Sequence, residues 1–157
     1  MLIEVDSTSF IKSFPVSPHP FLSAPFIEHN KEKVEEIYWL VDYEKKPEIG
    51  LMAGLRNGVL YSHFSAPFGG FHFNNGIIYI SVIDNFISSL KDYLKSKKIK
   101  SFEITLPPDI YHLTFNAKVT NSLIRKGFKL QLSEITNWVN LSKFNKEFKQ
   151  KNCREYY

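Results

Sequence analysis

The dipeptide Asn57-Gly58 lies between two apolar runs, residues 49–55 and 59–64. Asn-Gly is typical of a two-residue type I′ turn, because both central residues of that turn need positive φ. The pattern therefore predicts two antiparallel strands joined by a tight hairpin. Residues 37–41 are continuously apolar and aromatic, which is typical of a strand buried on both faces. We expect these three strands to form an antiparallel meander.

A long amphipathic helix is predicted over residues 79–97. Apolar residues recur there at alternating spacings of three and four, which places them on one face of a helix. This face should pack against the sheet. Its predicted members are Ile80, Ile83, Ile87, Leu90 and Leu94.

The rest of the chain predicts further strands. Residues 101–106 alternate between polar and apolar side chains and are stopped by Pro107 and Pro108. Residues 128–141 predict one long or two short strands, with Trp138 in the core together with Trp39 of the meander.

A second helix is expected between these strands. Thr114 is a suitable N-cap residue, Phe115, Val119 and Leu123 form one apolar stripe, and Gly127 stands where a helix C′ residue belongs. The fold class is therefore α/β (α+β), with a central mixed sheet that contains the antiparallel meander and is flanked by helices. One domain over residues 1–145 accommodates these elements, followed by a tail at 146–157 that reads as the start of a linker helix.

Composition excludes several classes of function. The 20 basic residues exceed the 16 acidic ones by only four, and no nucleic-acid motif accompanies the charge, so we expect no nucleic-acid partner. Cys153 is the only cysteine, which excludes an internal disulfide and a cysteine-based zinc site. The five histidines have no metal-site spacing. The chain shows no secretion signal and no membrane span, and a cytoplasmic location is expected.

The segment at residues 65–71 is the strongest candidate for a ligand-binding loop. Its adjacent glycines allow positive φ and close ligand approach, and it follows a predicted strand and precedes a predicted helix, an arrangement that suits an anion. The alternative is a structural turn packed by Phe68, Phe71 and Phe73. The candidate ligand-binding residues are Pro67, Phe68, Gly69, Gly70 and Phe71.

The candidate catalytic residues are Tyr111 and His112, which follow the Pro-Pro stop at the end of a strand. Ligands of open α/β sheets commonly bind at such strand ends. Tyr111 could act as an acid or hold a substrate, and His112 could act as a base. The alternative is that both rings pack over a loop. His63 and His72 form a weaker acid/base candidate, against the commoner arrangement of solvent-facing histidines.

The later helix resembles the last helix of the GNAT acyltransferases, which commonly reads Asn-x-x-Ala-x-x-x-Tyr-x-x-x-Gly-Phe. The five positions are occupied here by Asn116, Val119, Leu123, Gly127 and Phe128. A closer resemblance is to bacterial members of the Fem-type tandem-GNAT acyl and aminoacyl transferases. It rests on Ala-Pro-Phe-Gly-Gly-Phe at residues 66–71 and Leu-Pro-Pro-Asp-Ile-Tyr at residues 106–111.

The resemblance implies a GNAT-like fold and an N-acyltransferase-type transferase, but two of the family's functional features are missing. The glycines do not have the Gln/Arg-x-x-Gly-x-Gly/Ala spacing of the pyrophosphate loop, and Leu123 replaces the tyrosine that would protonate the thiolate. No cofactor is therefore expected for the isolated chain, with acyl-CoA as the alternative. The chain resembles the amino-terminal, substrate-side half of a Fem-type acyl or aminoacyl transferase and is not expected to be catalytic alone.

Two other functions remain open at this stage. The chain could be a stand-alone N-acyltransferase that binds acyl-CoA through an atypical loop, or a non-catalytic binding or assembly module. The partners implied are a second GNAT-like unit or another copy of the chain. The aromatic tail residues Phe144, Phe148, Tyr156 and Tyr157 would then dock on that copy or fold back onto their own domain.

Overall fold

The computed structural model contains both strands and helices and describes residues 2–42, 46–62, 64–74, 78–138 and 140. Its strands are β1 (Leu2–Glu4), β2 (Glu36–Asp42), β3 (Ile49–Arg56), β4 (Val59–Tyr61), β5 (His72–Phe73) and β6 (Ser101–Glu103). Its α-helices are α1 (Ser7–Ser13), α2 (Ala24–Asn30), α3 (Ile80–Ser96) and α4 (Asp109–Arg125). The predicted mixed α/β class is confirmed.

The six described strands form one sheet in the order β1-β2-β3-β4-β6, and β5 pairs with the start of β3 beside β4. Among these strands, only the β4–β6 pair is parallel. The predicted meander of β2, β3 and β4 is confirmed. Asn57 and Gly58 join β3 to β4 with φ values of 53° and 78°, as a type I′ turn requires.

Two strands are shorter than predicted. β4 ends at Tyr61 rather than Phe64, because the chain turns away after Ser62 and Ser65 takes a left-handed φ of 62°. Because β4 ends there, β6 has no described strand beside it after Glu103 and ends at that residue rather than at Leu106. The backbone of Gly69 reaches the freed edge instead, where its N–H donates to the Thr105 carbonyl at 2.8 Å.

Helices cover both faces of the sheet, so side chains of one strand alternate between two apolar clusters. In β3, Leu51 and Ala53 belong to the cluster under α3 and α4, whereas Met52 belongs to the cluster under α1 and α2. The second cluster is strongly aromatic and includes Phe10 and Phe14. Trp39 packs against it half-buried, so its predicted core position is largely right.

Helix α3 confirms the predicted amphipathic segment, and its buried face differs from the prediction at one end. Ile83, Phe86, Ile87 and Leu90 are buried, and Leu94 packs half-buried against the same cluster. The prediction that Ile80 is buried is wrong, because its side chain is 41% exposed. Ile80 occupies the first turn of α3. Periodicity gives an angular position around a helix but not the point along its axis where contact with the sheet begins.

Helices α3 and α4 are joined on their outer side by a charged contact. Arg125 Nη2 lies 2.6 and 2.8 Å from the two carboxylate oxygens of Asp84, and the Ser122 hydroxyl also donates to Asp84. The hydrogen bond from Arg125, followed by that from Ser122, lowers the pKa of Asp84. The contact keeps α4 in register with α3.

The end of α4 follows the predicted glycine-based stop. Gly127 has a φ of +83°, its N–H donates to the Ile124 carbonyl, and the Phe128 N–H donates to the Leu123 carbonyl. These two bonds form a Schellman motif. The three-residue stripe of Phe115, Val119 and Leu123 is buried, as predicted.

The strands predicted over residues 128–141 are not found in the described part of that range, residues 128–138 and 140. Alternating apolar residues make a strand only where a neighbouring strand supplies a hydrogen-bonding partner, and none of the described strands pairs with them. Trp138 is 60% exposed, so its predicted core position is wrong. Leu130, Leu132 and Ile135 are also exposed. The tail at 146–157, with Phe144, lies outside the described residues.

Histidine 72 is a core residue rather than the solvent-facing residue expected. Its ring is 2% exposed and packs against Phe10 and Phe14 at centroid distances of 4.9 and 5.8 Å. Its Nε2 lies 3.1 Å from the Leu22 carbonyl. Burial lowers the pKa of His72 to about 4, against a smaller opposing effect of the Leu22 bond. His72 is therefore neutral at pH 7.

None of the described helices combines the length and apolar character needed to cross a membrane.

We predict that Ile87→Ala lowers the free energy of unfolding by about 2–5 kcal/mol, because it leaves a cavity in a closed core. Ile80→Ala is the matched control on the same helix, and its effect should stay near the ~0.5 kcal/mol typical of surface sites. Urea unfolding of both variants measures the difference. Equal effects at the two positions would show that the buried face of α3 is misplaced.

We predict a stability loss on acidification that depends on His72. Its folded pKa of about 4 lies below the ordinary value of 6.5, so the unfolded chain binds a proton first as the pH falls. The stabilisation is complete above pH 6.5 and declines by about 3 kcal/mol on acidification to the folded pKa, by the linkage relation.

The measurement is the unfolding free energy of the parent chain and of His72→Gln as a function of pH. The difference between the two should shrink as the pH falls over that range. His29→Gln, at an exposed histidine, is the control and should follow the parent curve. A parent-minus-His72→Gln difference that is independent of pH would contradict the prediction.

Candidate functional site

The backbone at Gly69 lies unusually close to the end of β4. A β-carbon at this position would lie 1.7 Å from the Ser62 carbonyl oxygen, a distance that no side-chain-bearing residue could accept. The Gly69 N–H is bonded to Thr105, as described above. Glycine is therefore required at position 69 by the close approach of two backbone segments. Its N–H group already donates a hydrogen bond within the fold.

The residues around Gly69 anchor the segment to different parts of the protein. Gly70 has a φ of +119° and faces Pro107. Phe71 is buried, with its ring 5.7 Å from that of Phe86 in α3. Pro67 is exposed and Phe68 half-buried. The chain then enters β5 before it reaches α3, so the glycines do not lead directly into a helix N-terminus.

Histidine 19 contacts the glycine segment from the other side, and the sequence did not single it out. Its Nε2 lies 2.9 Å from the Gly69 carbonyl oxygen. A carbonyl only accepts, so Nε2 carries the hydrogen and the neutral ring has its lone pair on Nδ1. The ring is 3% exposed, and Nδ1 has no hydrogen-bond partner among the described residues. Burial lowers the pKa of His19, opposed by the bond to Gly69.

Four rings from three separate segments meet at this position. We name them the His19 cluster: His19, Phe21, Phe68 and Tyr111. The centroid of the His19 ring lies 4.9 Å from that of Phe68 and 5.6 Å from that of Tyr111, and Phe68 lies 5.1 Å from Phe21. Tyr111 is 44% exposed, so the cluster extends from the buried histidine to the surface. The structure thus brings predicted residues Phe68 and Tyr111 together.

The other candidate, His112, belongs to a different group of rings. It packs against Phe73 at 4.7 Å and against Phe115 at 5.8 Å. Its backbone is non-helical, with φ −168° and ψ 80°, and its Nδ1 accepts the Phe115 N–H at 3.2 Å. His112 therefore caps the main part of α4, and the prediction that Thr114 does so is wrong.

The GNAT-like motif on α4 has a structural role in this chain. Leu123, at the tyrosine position of that motif, is buried in the core beneath α3 and α4. Asn116, at its asparagine position, donates from Nδ2 to the Pro107 carbonyl at 3.0 Å. The asparagine thus holds the start of α4 against the Pro-Pro turn, which places Tyr111 beside the glycine segment.

The paired acid/base role suggested for His63 and His72 stays a prediction. His72 lies in the core, and His63 lies outside the described residues. No group of three or more potential metal ligands occurs in the parts of the chain that the structure covers. The only sequence signal for His19 was its position in a Pro-His-Pro segment, where the prolines restrict the backbone. The roles of Pro67 to Phe71, Tyr111 and His112 in binding or catalysis stay predictions.

Comparison with known proteins yields similarity in structure alone. No protein-family model and no curated protein sequence matches the chain. The solved structure of AAC(6')-Iy, in complex with the bisubstrate analogue CoA-S-monomethyl-acetylneamine, is similar with a TM-score of 0.54 and 12% identity. The match covers 89% of this chain and 97% of that one.

A second solved structure is the aminoglycoside 6'-N-acetyltransferase AAC(6')-IG from Acinetobacter haemolyticus, with a TM-score of 0.46 and 13% identity over 89% of this chain and 99% of that one. At 12% identity the similarity to AAC(6')-Iy concerns the fold. With its mostly antiparallel mixed sheet between helical layers and its match to AAC(6')-Iy, the chain has the fold of the GNAT acetyltransferases.

Proposed function

We propose that the chain is the acceptor-binding domain of a GNAT-type acyl or aminoacyl transferase and does not bind acyl-CoA through its glycine segment. The observation that carries the proposal is the state of Gly69. Its N–H is bonded to Thr105 and its α-carbon abuts the Ser62 carbonyl. A phosphate-binding loop needs free N–H groups directed at the ligand, and the N–H of Gly69 is not free.

The buried position of Leu123 supports the same proposal. A leaving thiolate needs a proton from a titratable group within hydrogen-bond reach. Leu123 cannot supply one, and it is enclosed in the core under α3 and α4. A role in recognising the acceptor needs neither a thiolate acid nor a pyrophosphate loop.

The segment after α4 supports a partner unit. Leu130, Leu132, Ile135 and Trp138 are exposed over a short stretch, and exposed apolar residues grouped in this way commonly mark an interaction surface. A second GNAT-like unit, as in the Fem-type enzymes that the sequence resembles, would cover such a surface. In that arrangement the acyl donor binds the second unit.

A stand-alone N-acyltransferase is the second candidate. It is favoured by the fold match to AAC(6')-Iy, which covers 97% of that chain. In this case acyl-CoA would be held by groups other than the Gly69 amide.

We predict that the chain shows no saturable binding of acetyl-CoA by isothermal titration calorimetry, even at millimolar ligand. The physical reason is the occupied Gly69 amide. Micromolar affinity that is abolished by Gly70→Val would contradict the proposal and favour the stand-alone enzyme.

The matched control is Gly127→Val, because Gly127 also has positive φ but lies at the far end of α4. Circular dichroism of both variants establishes that they fold. If both glycine variants remain folded, a loss of binding confined to Gly70→Val assigns acetyl-CoA to the glycine segment.

A further inference from the structure

Two histidine side chains connect the same two segments of the chain in opposite directions. Nε2 of His19 lies 2.9 Å from the Gly69 carbonyl oxygen, and Nε2 of His72 lies 3.1 Å from the Leu22 carbonyl oxygen. Each segment therefore contributes one imidazole and one carbonyl, with residue 19 opposite 69 and residue 22 opposite 72. We name this pair of bonds the histidine latch.

The closed latch requires both imidazoles to be neutral. Their rings are 3% and 2% exposed, and because a carbonyl only accepts, Nε2 carries the hydrogen in each ring. Nδ1 of both rings is buried without a hydrogen-bond partner in the described part of the chain. An added proton would place a positive charge at a buried nitrogen that no acceptor stabilises, which is unfavourable.

The surroundings of the latch supply no opposite charge. His72 packs against Phe10 and Phe14 of α1, and its paired residue in β3 is a glycine. The titratable group that acts on His72 is His19, whose charge would oppose its protonation. His19 faces the other rings of its cluster, of which only Tyr111 is titratable. Among the described residues, no carboxylate bonds to either imidazole.

The latch fastens residues 19–30, which we name the cover segment, over one face of the sheet. This segment contains the 3₁₀ turn Pro20–Leu22 and helix α2, and it contributes Leu22 and Ile27 to the second apolar cluster. The cluster under α3 and α4 lies on the other face, and its described members include no residue of the cover segment. Loss of the latch therefore affects one face of the sheet first.

We propose that the histidine latch is a pH-sensitive device, in which protonation of His19 and His72 together releases the cover segment and exposes the second apolar cluster. The cluster under α3 and α4 stays closed. Protonation of one ring weakens the hold on the segment that carries the other. Once the segment is released, the second ring reaches water and binds its own proton. This inference is independent of the acceptor-binding function proposed above.

The direction and steepness of the response follow from linkage. Burial lowers the pKa of both histidines, to about 4 for His72, from an ordinary value of 6.5. The closed form thus binds fewer protons, and it is favoured above pH 6.5 and lost as the pH falls from there towards 4. Uptake of two protons raises the equilibrium constant for opening by up to about a hundredfold per pH unit, whereas one proton raises it by at most about tenfold.

The test is amide hydrogen exchange of the full chain, measured by NMR from about pH 6 to about pH 5 and expressed as opening constants relative to intrinsic exchange. The amides of Leu22, Ser23 and Ile27 report on the cover segment, where each donates to a backbone carbonyl. Leu90, in the interior of α3, reports on the other face. We expect the opening constant of the cover segment to rise by more than about tenfold, and that of Leu90 to stay constant.

Glutamine variants separate titration from hydrogen bonding. The side-chain N–H of glutamine can donate to the same carbonyls, but the group does not titrate. His19→Gln and His72→Gln should each reduce the change to less than about tenfold, and the double variant should open to the same extent at both pH values. His29→Gln is the matched control, because His29 is an exposed histidine of the same segment and its loss should leave the parent response intact.

Several results would overturn the inference. The first is a change of about tenfold or less at the cover segment of the parent chain, which would mean that no more than one proton is taken up. The others are an equal change at Leu90, which would indicate global unfolding, and a parent-like response in the double variant. The comparison within the parent chain decides the question alone if circular dichroism shows that a glutamine variant does not fold.

Discussion

The close backbone contact at Gly69 is the constraint on which the functional side of this protein depends. The chain leaves the sheet after β4 ends at Tyr61 and returns at Gly69, which lies in van der Waals contact with Ser62. The Gly69 N–H donates to the Thr105 carbonyl. The Gly69 carbonyl accepts from His19 on the opposite side. One peptide segment therefore connects the edge of the sheet to the Pro-His-Pro segment that precedes α2.

This connection explains why rings from distant parts of the sequence meet. His19 is fixed by Gly69, Phe68 precedes that glycine, and Tyr111 is brought to it by the Asn116 bond to Pro107 at the start of α4. The resulting chemistry differs from that of a phosphate-binding loop. The Gly69 amide that would face an anion is bonded internally, whereas Nδ1 of His19 has aromatic neighbours and no hydrogen-bond partner among the described residues.

The local elements of this fold could be predicted from the sequence because their causes are local. Asn57-Gly58 specifies its own turn by positive φ, and Gly127 ends α4 in the same way. The α3 stripe follows from helical periodicity. The predictions that failed depended on parts of the chain that are distant in sequence. A core position for Trp138 required a strand partner for its segment, and burial of Ile80 required that contact with the sheet begin at the first turn of α3. The longer β4 required the chain to stay extended after Tyr61.

The site was predicted only in part for a similar reason. Phe68, Gly69 and Tyr111 lie in recognisable motifs, so the sequence identified them as candidates. The glycine pair suggested an anion-binding loop, because the bonds that Gly69 makes to Thr105 and His19 are long-range and cannot be read from the sequence. His19 has no motif. It lies fifty residues before its hydrogen-bond partner Gly69, and only the folded chain brings the two together. The base role of His112 stays a prediction, whereas its cap on α4 was missed because it depends on where the helix bends.

Amide hydrogen exchange at Gly69 tests most directly whether this N–H is bonded within the fold. We expect the Gly69 amide to exchange as slowly as amides inside the sheet, such as that of Leu40 in β2, and its resonance to stay in place when phosphate or acetyl-CoA is added. Exchange as fast as in an open loop, or a saturable shift with either ligand, would contradict the account.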